Sequence, residues 1–96
     1  MPAVFVVLSQ HPNMDEHLDA AIKEKFPGNF FFMGRAQWLV AAEGTAREVS
    51  DKLGITGVEP PRVVSTVVFG VAGYYGRASS EMWEWVAAKL GGHIIA

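Results

Sequence analysis

Two stretches of this chain, Ala3-Val-Phe-Val-Val-Leu8 and Val63-Val-Ser-Thr-Val-Val-Phe69, read as strands that are apolar at almost every position. A strand with one wet face alternates apolar and polar residues, because successive side chains point to opposite sides of the sheet. Runs without that alternation predict a sheet covered on both faces. A chain of 96 residues forms one domain, 1–96, and has little material for two covers. The second cover is therefore expected from a further helix of the chain, from another copy of it, or from both.

Composition narrows the function classes. Half the residues are hydrophobic and only 19% are charged, against the usual quarter, so a core is assured and surplus apolar surface is expected. A net charge of −2, with eight dispersed Lys and Arg, argues against a nucleic-acid partner. The absence of cysteine removes disulfides, thiolate catalysis and cysteine metal sites, and fits a reducing, cytoplasmic setting. The first apolar run is short, lacks a basic flank and ends at Gln10-His-Pro12, which reads as neither a leader nor a membrane span.

The remaining elements follow from local signals. Asn13 reads as an N-cap, with Glu16 three residues on and an apolar stripe at Met14, Leu18, Ala21, Ile22 and Phe26. Pro27-Gly28 ends that helix. Phe30-Phe-Phe-Met33 and Gln37-Trp-Leu-Val-Ala-Ala42 read as a hairpin turning at Gly34-Arg-Ala36, with one long bent strand as the alternative. Thr45-Ala-Arg-Glu48 is a capping box before Val49 and Leu53, and Gly54 stands where a left-handed C′ residue belongs. A third helix opens at Ser79 or Ser80, with Trp83, Val86, Ala87 and Leu90 as its expected inner stripe.

The order β-α-β-β-α-β-α predicts an α+β fold: a ferredoxin-like two-layer sandwich with an added C-terminal helix. That order over residues 3–90, the Gln37-Trp-Leu-Val-Ala strand leading into Thr45-Ala-Arg-Glu48, and the Trp83-Glu-Trp-Val86 helix give the chain a resemblance to the ferredoxin-like superfamily. Within it, the chain distantly resembles the small metal-dependent nucleases of CRISPR adaptation and their relatives. The resemblance implies the fold and a homodimer. That family holds an acidic metal ligand at the end of its first strand, where this chain has Leu8, Ser9 and Gln10.

Two constellations could hold a ligand. The end of the first strand brings Ser9, Gln10 and His11 towards Arg35 and Gln37, and an arginine beside a histidine favours its neutral, proton-accepting form. Gly73-Tyr-Tyr-Gly-Arg-Ala-Ser79 presents Tyr74, Tyr75 and Arg77 before a helix start, suited to an anion or a flat ligand. The structural alternatives are a solvated hairpin tip in the first case. In the second, they are tyrosines covering the sheet edge. His11, Asp15 and His17 lack metal-ligand spacing, and no metal or cofactor is expected. Met-Pro before an apolar strand resembles the tautomerase superfamily over residues 1–8, which would make the Pro2 amine a base. Trp85 lies far around the third helix from Trp83, so with Met82 it forms a second apolar flank and a candidate interface. The leading expectation is a non-enzymatic interaction or regulatory domain acting as a homodimer, without a membrane partner. The alternative is an enzyme, either metal-dependent and nuclease-like or using Pro2 or His11.

Overall fold

The computed structural model of the chain describes residues 2–10, 16–73 and 75–89. His11, Asn13, Met14, Asp15, Tyr74 and Leu90, read above as a site residue, a cap, stripe positions, a rejected metal ligand and a loop residue, lie outside the described residues. The elements are β1 (Ala3–Ser9), α1 (Glu16–Lys25), β2 (Phe30–Gly34), β3 (Gln37–Ala42), α2 (Ala46–Leu53), β4 (Thr66–Gly70) and α3 (Ser80–Lys89). They form an α+β fold with a four-stranded antiparallel open sheet in the order β2-β3-β1-β4.

β1 and β2 both run antiparallel to β3, so they are parallel to each other with β3 inserted between them. The α1 crossover therefore spans a split βαβ unit, an arrangement compatible with a ferredoxin-like plan. Pairing of β1 with both β3 and β4 makes it a central strand. Its residues are apolar on both sides because α1 and α2 cover one face of it and α3 the other.

One face of the sheet carries Phe5, Val7, Trp38 and Val40 against Leu18 and Ile22 of α1 and Val49 and Leu53 of α2. The other carries Val4 and Leu39 against Val86 of α3, with Phe31, Met82 and Trp85 around them. The Trp85 ring stands 6.1 Å from that of Phe31, and Lys89 Nζ donates to Asn29 Oδ1 at 2.9 Å, pinning the end of α3 beside β2. The stripe facing the sheet is thus Met82, Trp85 and Val86: Val86 stands where it was expected, while Met82 and Trp85 take the places expected of Trp83 and Ala87. Trp83 is half-buried to one side of it. Periodicity alone cannot phase a helix that is apolar nearly all round, and the large Phe31 ring decides which tryptophan turns inward.

The second helix follows its sequence signals. The Thr45 hydroxyl accepts from the Glu48 amide and the Thr45 amide donates to Glu48 Oε1, both at 3.2 Å. Gly54 at φ +82° closes the helix, and its carbonyl accepts from Arg62 and Val63 at 2.9 and 3.2 Å. A Cβ at Gly54 would also stand 3.1 Å from Arg62 Cβ, so the connection needs glycine twice over. Loss of the cap in Thr45→Ala is expected to lower stability by about 1 kcal/mol, read as a shifted urea midpoint at constant slope.

The fourth strand is shorter than the apolar run from Val63. Ser65 adopts φ +52°, which breaks extended backbone, and Val64 before it is exposed while Val63 packs into the core. The strand proper begins at Thr66, whose hydroxyl donates to the Val64 carbonyl at 3.0 Å.

Candidate functional site

The residues at the end of β1 meet as expected along the backbone. Leu8 pairs with Gln37, and the Ser9 amide donates to the Ala36 carbonyl at 3.1 Å. The Gln10 amide donates to the Ser65 carbonyl at 2.8 Å on the other side. Among the described residues, the non-glycine positions with left-handed backbone, Arg35, Ala36 and Ser65, all lie at this end of the sheet. The two-residue hairpin Arg35–Ala36 has the twist that joins adjacent strands, at positions that Asn and Gly occupy most readily. The side chains, however, do not converge. Ser9 follows the inward row of Phe5 and Val7 and is buried, whereas Gln37 sits beside Leu8 on the α3 face. Arg35 and Gln10 are exposed.

At the opposite end of the sheet, Val71 bonds to Val4, and the glycine-rich passage leaves towards α3. Tyr75 is 86% exposed there, and Arg77 is exposed as well. The two sequence candidates are thus separated by the length of β1. Met82 and Trp85 face their own sheet, as described above.

Pro2 lines a groove of about 620 Å³ with Lys25, Phe26, Asn29 and Lys52, and Lys52 Nζ lies 5.2 Å from the Phe26 ring centre. His17 lines another, of about 450 Å³, between α1 and α2. Among the described residues no cluster of three or more His, Asp or Glu side chains is placed to hold a metal ion, and no helix is long and apolar enough to cross a membrane.

A different surface stands out by exposure. α3 covers β1, β3 and β2 but stops short of β4, where Val67 and Phe69 remain 39% and 53% exposed on the α3 side of the sheet. They lie beside Leu8 and Val6, their partners in the β1 ladder. β4 is also an edge strand. Natural edges are blunted by a charge, a proline or a bulge, and Thr66-Val-Val-Phe-Gly70 contains no charge or proline and pairs with β1 in unbroken register. The other edge, β2, shifts register between Phe32 and Gly34. Among the described residues β4 accordingly offers backbone groups that no strand pairs and an apolar row together, the two components of recognition by strand addition. The apolar run was visible in the sequence, but which strand stays uncovered depends on where α3 lies, and that is a tertiary fact.

The chain matches no protein-family model, no curated protein and no solved structure.

Proposed function

We propose that this chain is a small, non-enzymatic interaction or regulatory domain of ferredoxin-like plan that works as a homodimer. The strand order supports the plan: read from the β4 edge it runs 4-1-3-2, the order of a split βαβ pair with α1 and α2 on one face. The observation that carries the functional reading is the unguarded β4 edge with Val67 and Phe69 exposed beside it. A patch of this kind is retained where something binds it, since left bare it invites aggregation.

Size-exclusion chromatography with light scattering tests the reading. With rising protein concentration the apparent mass is expected to climb towards twice 10.4 kDa. Phe69→Lys is expected to hold the mass at the monomer value with unchanged circular dichroism, because that side chain contributes little to the core and a lysine guards an edge. A monomer at every concentration, indifferent to the substitution, refutes the homodimer.

The groove at Pro2 favours one second reading, small-molecule chemistry with Pro2 as the base, in a cleft whose charges balance, Lys25 and Lys52 against Glu43 and Glu48. Small keto acids and neutral ketones are then expected to shift the amide resonances of Lys25, Glu48 and Lys52, and Pro2→Ala to weaken the response. Resonances indifferent to millimolar amounts of both exclude it.

A further inference from the structure

Resting on the self-association proposed above, we infer that two copies join through β4 itself, antiparallel about a twofold axis at Val68, so that two four-stranded sheets continue as one. The Val71 amide donates to the Val4 carbonyl at 2.9 Å and the Gln10 amide to the Ser65 carbonyl at 2.8 Å, which fixes the phase of the β1–β4 ladder. Hydrogen-bonded pairs alternate along an antiparallel ladder, so Val67 and Phe69 turn their backbone groups towards β1. Thr66, Val68 and Gly70 turn theirs to the open edge.

Those three outward positions are symmetric about Val68. A twofold axis there sets Val68 opposite its own copy and Thr66 opposite Gly70, and each facing pair exchanges two backbone hydrogen bonds. The same operation sets Val67 of one copy opposite Phe69 of the other at non-hydrogen-bonded positions, where facing side chains come closest. The four exposed apolar side chains then form one cluster on the α3 side. A foreign strand would need an apolar pair at this spacing, which a second copy supplies by symmetry. No charged side chain lies on Thr66–Gly70 to repel its mate across the axis. α2 packs on the inner face of β4, and an open cleft of about 280 Å³ lined by Arg47, Ser50, Thr56, Thr66 and Val68 runs beside that contact.

A five-residue strand with two partly exposed apolar side chains buries less than the ~800 Å² per partner of a standard interface, so the dimer dissociates on dilution.

The chain has no cysteine, so introduced thiols report the register without background. Val67→Cys and Phe69→Cys are prepared separately, then oxidised alone and as a mixture at a concentration where light scattering shows the wild type dimeric. The mixture is expected to give a disulfide-linked heterodimer, because facing Cα atoms at roughly 4.5 Å suit the bond. Each variant alone is expected to stay uncrosslinked, since like positions lie on a diagonal of about 7–8 Å. Val68→Pro, which removes an amide that the monomer does not use, is expected to abolish the dimer while leaving the sheet signal. A wild-type dimer that persists in Val68→Pro and yields no heterodimer overturns this edge geometry but leaves self-association standing. A wild type monomeric throughout overturns both.

Discussion

Trp38→Ala is expected to remove a large share of the stability of this domain. Trp38 is 0% exposed at the centre of β3, packed between the Val7 and Phe32 positions with its ring 5.1 Å from that of Phe32. Truncating a buried tryptophan costs about 3–5 kcal/mol, and domains of this size hold about 5–15 kcal/mol in all. The melting temperature should fall by roughly 15–30 °C, measured by circular dichroism. Trp38→Phe gives the contrast. Among the described residues the buried indole Nε1 has no hydrogen-bond partner, so phenylalanine removes an unsatisfied donor along with some packing volume. Those effects oppose, the first worth about 1–3 kcal/mol, and the phenylalanine variant is expected within about 1 kcal/mol of wild type. A loss as large as that of alanine would mean that the indole nitrogen has a partner after all.

Val86→Asp is expected to detach α3 without unfolding the rest. Val86 is buried between Val4 and Leu39, and an unpaired carboxylate there costs about 3–5 kcal/mol. The helix can escape that cost by leaving the sheet, so the measured loss is capped at the free energy of docking α3. The α1/α2 face forms a separate cluster and keeps Phe5, Val7, Trp38 and Val40 covered. Hydrophobic dye binding should rise sharply while the strand signal stays, as Val4, Leu39 and Phe31 become wet. Trp85→Glu should do the same more weakly, because Trp85 is only half-buried against Phe31. A single cooperative loss of all structure in Val86→Asp would show instead that the sheet cannot stand without its third layer.

How far the sequence could be read depended on the range of the interaction that sets each feature. The Thr45–Glu48 box and the Gly54 stop are decided within one turn of chain, and both stand where the sequence put them. The hairpin over Phe30–Gly34 and Gln37–Ala42 was equally local, marked by aromatic runs around a short polar break. The run from Val63 misled at its start, because the left-handed backbone at Ser65 leaves no mark on hydropathy. The phase of α3 was out of reach for a different reason: with Met82, Trp83, Trp85 and Val86 all apolar, the choice belongs to the surface below, where Phe31 and Val4 lie forty or more residues earlier. Ser9 and Gln37 were rightly brought to one end of the sheet, yet adjacent positions on paired strands alternate in face, so proximity along the backbone did not place their side chains in one pocket. Val67 and Phe69 were within the run that was read as covered, and nothing local distinguishes a central strand from an edge one.

The place of β1 between β3 and β4 has a consequence for biosynthesis. Phe5 pairs with Val40 and with Gly70, so its second neighbour is translated 70 − 5 = 65 residues after it. At about 5–20 residues per second, the oiliest segment leaves the ribosome roughly 3–13 seconds before its ladder can close. In that interval the β4 side of the segment has no strand to pair with.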